Sequence, residues 1–299
     1  KRKIPELVIA IDTSYSTKGE MVKRFLEETL AILQNKEAFF SKCRVHIVEC
    51  DDRIRKDILV ENAEEMEHYR QRFEVSGGYG TDFRPVFHYI EDLRKKGELK
   101  ELKALLSKSN REAEKFLVKD KFNENPIVAN WRSVYQKFKT KKGARCSIEA
   151  LLKRVEKENP VGSINPLVDI YNSASLQFGF PCGAEDMDAF VGDLKLGITS
   201  GGDEFYLIGD TESSPTLEGE LCYRDEQGAV CRCFNWRDGE RTMITGNTTN
   251  AFLIMENIEE GRENELKQAI SMIVEYAEKY LSATVETFFV TAENPSILL

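Results

Sequence analysis

Histidine and tryptophan are scarce in this chain. Its 299 residues hold three histidines and two tryptophans, and His46, His68 and His88 all lie in the first third. The last two thirds therefore cannot build a Ser-His-Asp set, and no H-E-x-x-H zinc motif occurs anywhere. The seven cysteines (Cys43, Cys50, Cys146, Cys182, Cys222, Cys231 and Cys233) include no C-x-x-C pair. They read as reduced thiols, because a structural metal site wants a different spacing. Cys231 and Cys233 alternate along a strand-like run and are expected to share one face. Long apolar runs are also missing. None reaches the ~18 residues that span a bilayer, and Leu7 to Ile11 is only strand length. The chain opens Lys1-Arg2-Lys3-Ile4-Pro5, with neither a Met nor a secretory leader, so a fragment of a cytoplasmic protein is expected. Repeats and low-complexity tracts are absent.

What is present suits a folded chain. Hydrophobic residues make up 41% and charged residues 31%, enough to bury the core of one large domain or two ordinary ones. The net charge of −9 argues against broad coating of nucleic acid but leaves room for a local basic groove.

The first hundred residues alternate strand and helix. Leu7 to Ile11 is a continuous apolar run, as in a strand covered on both faces. Glu20 to Gln34 has amphipathic helical spacing. Arg44 to Cys50 is a second strand and Ile54 to Val60 a third. Ala63 to Phe73 is a charged helix, and a glycine loop, Ser76 to Gly80, leads to a helix from Val86 to Lys96. Such an order implies a parallel sheet with covering helices. Residues 107–157 are helical and basic, with Lys137, Lys139, Lys141, Lys142 and Arg145 in a dense stretch suited to phosphates. Trp131, Tyr135 and Phe138, interleaved at helical spacing, fit a core better than a base-stacking surface. From Ile164 onward one helix (Leu167 to Phe178) precedes short strands separated by glycine turns, an antiparallel pattern. A helix from Glu263 to Ser282 and a strand from Thr284 to Val290 close the chain.

Two constellations carry chemistry. Asp12-Thr13-Ser14-Tyr15-Ser16 directly follows the first strand and offers hard oxygens spaced two apart, the donors a divalent cation takes. Together with Gly77 to Phe83, this D-x-S-x-S pattern resembles the metal-ion-dependent adhesion site of VWA-like domains, over residues 1–106. The resemblance maps Asp12, Ser14, Ser16 and Thr81 onto ligand positions and implies Mg²⁺ and a protein partner. The family's next strand ends in an Asp that completes the site. Here Leu102 to Leu106 begins that strand and the Asp is missing, so any metal is held weakly. Read locally, Asp12 and Ser14 simply cap the following helix.

The second constellation is Ile164-Asn-Pro-Leu-Val-Asp-Ile-Tyr-Asn172, then Gly179 to Asp188 with its acidic pair, then Gly239-Glu240 and Thr245 to Asn250. Their order and spacing resemble the B3/B4 domain of the bacterial phenylalanyl-tRNA synthetase beta subunit, and most closely its free-standing relatives, from about Lys108 to Val290. The resemblance implies binding of the aminoacyl end of a tRNA and hydrolysis of a mischarged ester. It places Glu240 and Asn172 as catalytic residues and Asn165, Tyr171, Gly183 and Thr242 in the substrate pocket. Glu240 stands where the family binds a phenol hydroxyl. Gly183 replaces the family histidine, and Tyr171 stands where threonine is usual, so specificity for tyrosine is not implied. Read locally, Asn165 is a cap and Glu240 a surface ion-pair partner.

The expected fold is therefore α/β: a partial Rossmann-like VWA parallel sheet over residues 1–106, then an α+β B3/4 domain with a sandwich-like strand core over 107–299. No Gly/Pro/Ser linker marks their join near Leu106. The expected function is aminoacyl-tRNA binding with editing in trans. The alternatives are a metal-dependent protein-binding module without enzymatic activity and a catalytically silent scaffold.

Overall fold

A computed structural model describes residues 6–14, 22, 24–25, 27–29, 43–73 and 79–298. The chain divides into two compact units, Lys1–Gly97 and Glu98–Leu299.

In the first unit β1 (Glu6–Asp12) and β2 (Arg44–Cys50) pair in parallel, and β3 (Ile54–Val60) returns antiparallel on the other side of β2. The expected parallel sheet is thus parallel in one ladder and antiparallel in the next. Only residues 51–53 separate β2 from β3, too short a connection for a parallel crossover. β2 is the central strand and is apolar on both faces. Val45 and Ile47 pack with Ile9, Ile11 and Val60 on one side, while Val48 and Cys50 meet Val86 on the other. Helix α1 (Ala63–Arg72) starts at Asn62, whose side chain accepts the Glu65 N–H at 2.8 Å. Met66, Tyr69 and Phe73 then lie on the sheet. The described residues between Val22 and Thr29 are helical, as their spacing predicts.

Helix α2 runs Arg84–Glu112, and the division between the units falls within it. Leu102 to Leu106 is therefore helical, not the expected strand. Leu102 and Leu106 are four apart, share a helical face and are 1% and 2% exposed. The run is rich in Glu, Lys and Leu, all good helix formers, and carries i,i+4 ion pairs such as Lys95–Glu91 at 3.4 Å.

The second unit continues with α3 (Pro126–Tyr135), α4 (Ser147–Glu156) and α5 (Pro166–Phe178). Strands β4 (Cys182–Asp186), β5 (Lys195–Ile198), β6 (Leu221–Arg224), β7 (Ala229–Arg232), β8 (Arg237–Asp238) and β9 (Ala251–Met255) follow, then helix α6 (Glu263–Leu281). All these strand pairs are antiparallel. β4 pairs with β9, and β5-β6-β7-β8 form a meander. The core joins Trp131 and Val128 of α3, Ile148 and Leu152 of α4 and Leu176 of α5 to Tyr223 and Val230 of the meander. Trp131 is thus core, as its spacing suggested. Gly179 ends α5 with φ +72°, and a Cβ there would stand 2.4 Å from Ile127 Cδ1, so only glycine fits. Arg232 and Glu220 are buried together, with Nε to Oε2 at 3.0 Å.

Two expectations change. β7 stops at Arg232, and Cys233 (φ 48°) and Phe234 (φ 67°) turn left-handed, so the alternation that would align Cys231 with Cys233 is broken. Residues 283–298 form neither helix nor strand, and Phe288, Phe289 and Val290 are exposed. Their strand-like composition finds no partner strand among the described residues. All seven cysteines are free and buried. Among the described residues no helix is long and apolar enough to cross a membrane.

Candidate functional site

In the first unit the carboxyl ends of β1 and β2 come together with the segment before α2. The Thr13 N–H donates to Cys50 O at 2.9 Å and the Asp82 N–H to Asp51 O at 2.7 Å. Burial, and then the fields of Asp51, Asp12, Asp82 and Asp52, push the Cys50 thiol pKa up. Asp12 Oδ1 accepts the Ser14 N–H at 2.8 Å. Ser14 is buried and Thr81 exposed, while Ser16 lies outside the described residues. Asp51, which the motif did not flag, is buried, and Arg55 Nε donates to it at 2.7 Å. That bond holds its pKa far below the usual carboxylate range. Asp82 is likewise held down, to about 2, by hydrogen bonds from Arg84. Thr13 Oγ1 and Asp51 Oδ2 are buried without a hydrogen-bond partner. Hard oxygens of this kind suit a small dication such as Mg²⁺. The two guanidinium groups compete for the same carboxylates. Among the described residues no group of three or more His, Cys, Asp or Glu is arranged to hold a metal ion.

The second unit builds a different site. β4 and β9 pair with Gly183 opposite Ile254 and Glu185 opposite Phe252. Residues two apart share a face of a strand, so Gly183 and Glu185 of β4, and Phe252, Ile254 and then Glu256 along β9, all line one cavity. β7 and β8 close it with Cys231 opposite Asp238, and Tyr223 and Asn235 complete the polar wall. About 50 Å³ of the cavity is open to the centre of a water molecule, more than one water requires.

Its electrostatics are unusual for neutral pH. Burial, and next the charge of Asp238, push Glu185 up to about 10. Asp238 is also raised by burial, against the pull of Cys231, Glu185 and Arg237. Glu256 is pushed up by burial to about 8, although the Tyr223 hydroxyl donates to its Oε1 at 2.9 Å and lowers it. The Asn235 side chain also lowers it, from nearby. Glu185, with 6% exposure, makes no hydrogen bond through either carboxyl oxygen, and Glu256 Oε2 makes none. The Asn235 Oδ1 accepts the Tyr135 hydroxyl at 2.9 Å, and the Asn235 amide nitrogen makes no hydrogen bond. Cys182 and Cys231 line the same space, but burial raises both thiols well above their ordinary pKa, so neither is a nucleophile.

Of the residues singled out by motif, Gly183 lines the cavity; a Cβ there would stand 3.7 Å from Asp238 Oδ1. Thr242 is fully buried beside Glu185 and pulls its pKa down. Tyr171, on α5, has its hydroxyl pKa raised by burial and then by Asp238. Asn172 is buried on α5 but does not line the cavity. Asn165 caps α5, accepting the Val168 N–H at 2.9 Å. Glu240 is exposed. β8 ends at Asp238 and the turn Glu240–Thr242 is 3₁₀, so the two-residue alternation that would bring Glu240 beside Asp238 is lost. The cavity acids were within reach of sequence reading. Glu185 belongs to the acidic pair after Gly179-x-Pro181, and Asp238 to Asn235–Glu240.

An antiparallel pair and meander closed around a buried carboxyl cavity, with helices packed beside them, define an α+β pocket domain. The family model for the B3/4 domain matches residues 130–281, half of the chain, and the chain belongs to that family. The match supports the relation to the phenylalanyl-tRNA synthetase domain family. A second model, VWA-like domain (DUF2201), matches residues 7–99. Comparison with curated proteins gives no match.

Proposed function

We propose that the second unit binds the aminoacyl end of a tRNA and hydrolyses the ester that joins amino acid to ribose. The observation that carries this reading is the Glu185–Asp238 pair in the cavity. Two neighbouring buried carboxyls do not both ionise readily, so the pair shares a proton and supplies an acid and a base. Asp238, which Cys231, Glu185 and Arg237 pull toward ionisation, is the carboxylate of the pair and takes a proton from water as that water attacks the ester carbonyl carbon. Glu185 as carboxylic acid gives its proton to the departing ribose oxygen. The products are the free amino acid and a tRNA with its hydroxyl restored. Glu240, which is exposed, remains in the proposal as a contact for the part of the substrate outside the cavity, and buried Asn172 as a support for α5.

The basic segment supports RNA as the carrier. Tyr135 at one end and Ser147 at the other both bond to Asn235, the second through its backbone N–H at 3.2 Å. The stretch between them carries Lys137, Lys139, Lys141, Lys142 and Arg145 and no acid. It is thereby fastened to a residue of the cavity wall. Lys137, Lys139, Lys142 and Arg145 are exposed and make no ion pair among the described residues. The test is deacylation of a panel of mischarged tRNAs. The reading expects hydrolysis of at least one, slowed about 100-fold by Asp238→Asn, within the usual range for a general base. Hydrolysis of none would leave a binding protein.

A second reading concerns the first unit. The convergence of Asp12, Asp51 and Asp82, with two orphaned buried oxygens, supports a weak divalent-cation site used to bind a protein partner.

A further inference from the structure

We propose that the Glu256–Asn235 end of the cavity is a receptor for a primary ammonium group, with Glu256, which releases its proton to solvent as the cation binds, as counter-charge and the Asn235 amide donating to a carbonyl oxygen of the same ligand. The inference rests on the reading above and names the part of the substrate this end holds: the α-ammonium and ester carbonyl of the aminoacyl group.

The polar atoms at this end are committed on one side and open on the other. Tyr223 occupies Glu256 Oε1 at 2.9 Å, and Oε2 is left without a partner. Tyr135 occupies Asn235 Oδ1 at 2.9 Å, and the amide nitrogen is left without one. Asn235 is only 8% exposed, and a buried donor gains from a ligand acceptor that meets it. One open acceptor on an acid and one open donor on an amide match a ligand that carries a cation next to a carbonyl.

The sign of the ligand follows from the surrounding charge. Glu185, Asp238 and Glu256 all line the cavity. The neighbouring Arg241 is locked outward, its guanidinium donating to both Asp225 oxygens at 2.8 Å and to Ala189 O at 3.0 Å. Arg237 is exposed. An anion would find no free cation to pair with here among the described residues, whereas a cation favours the ionised form of the carboxyl it meets. Among the described residues no three acid, cysteine or histidine side chains are arranged as metal ligands, so an organic cation fits better than a metal. Its hydrogens need directional acceptors, which a carboxylate supplies. The open space of about 50 Å³ suits an ammonium head group, and Leu194, Phe252 and Ile254 form an apolar wall for the carbon next to it.

The experiment is calorimetric titration of the full chain with phenylalanine methyl ester, its N-acetyl form and n-butylamine. The expected result is binding of the ester, weakened at least tenfold by N-acetylation and at least tenfold by Glu256→Gln. Asn235→Asp, which keeps the shape but removes the amide donor, should weaken the ester more than butylamine. Equal binding of the N-acetyl ester would overturn the ammonium site and leave the deacylation reading standing. Butylamine binding as tightly as the ester would keep the ammonium site, assign it to a side-chain or polyamine ligand, and remove the tRNA-end reading. If Glu256→Gln fails to fold, Asn235→Asp and N-acetylation decide the matter between them.

Discussion

Each unit gathers several carboxyl groups in one region, with opposite consequences. Asp12, Asp51 and Asp82 meet near Cys50, and arginines answer two of them: Arg55 holds Asp51 and Arg84 holds Asp82. Those two acids stay ionised deep into the acid range. Glu185, Asp238 and Glu256 line a cavity where no arginine hydrogen-bonds to them, and burial raises the pKa of each. Composition is nearly the same in the two places. Asp51 is as buried as Glu185, so what differs is the nearest guanidinium, and this decides whether a buried acid is held ionised or pushed toward its protonated form.

The largest expected effect comes from making a third kind of acid. Glu220 is fully buried but paired with Arg232. Arg232→Met would leave Glu220 buried and alone, and a loss of about 3–5 kcal/mol in denaturant unfolding is expected. A loss below about 1 kcal/mol would show that burial without a cation is tolerated here as it is in the cavity.

Next is pH. Glu256 and Glu185 have folded pKa values of about 8 and about 10, above those of an unfolded chain. Between the unfolded and folded values the unfolded state therefore binds fewer protons than the folded one. Stability from these groups is full below the ordinary glutamate value of 4.5 and falls as pH rises, through about 8 for Glu256 and about 10 for Glu185. For Asp82, lowered to about 2, the sign is reversed: its contribution is present at neutral pH and is lost as pH falls toward 2. Urea midpoints measured from about pH 5 to about pH 10 should fall, and Glu256→Gln should flatten the curve below about pH 8. An unchanged slope in that variant would move the effect elsewhere.

Within the catalytic reading, Asp238→Asn should slow deacylation about 100-fold and Glu240→Ala by less than about threefold, since an exposed carboxylate contributes little. The reverse order would move the reacting centre to Glu240. The smallest effect belongs to the first unit. Millimolar Mg²⁺ should raise the thermal midpoint by about 1–3 °C, by mass action on a weak site. Asp12→Ala should abolish the rise, and absence of any shift would remove the metal reading.

Much of this fold was legible in the sequence. Leu7 to Ile11, Arg44 to Cys50 and Leu167 to Phe178 carry their apolar pattern openly, and the structure forms each element within a residue or two. Leu102 to Leu106 misled because a short apolar run reads as strand or helix until its four-residue face is found packed. Thr284 to Val290 misled because strand propensity needs a partner strand. The site was half legible. The motif segments Gly179–Asp188 and Asn235–Glu240 do bring residues to the cavity, but which residue faces inward depends on register. Glu256 joins Phe252 and Ile254 by strict alternation. Glu240 fails to join Asp238 because a two-residue strand gives way to a 3₁₀ turn. No motif marks where a strand stops.

The most direct test of the central claim is carbon-13 NMR of the labelled side-chain carboxyls during titration with a non-hydrolysable 3′-aminoacylamino-adenosine. The account predicts that the signals of Glu185, Asp238 and Glu256 move together while those of Asp12 and Asp82 stay fixed. Movement of Asp12 and Asp82 alone, or of none of the five, would contradict it.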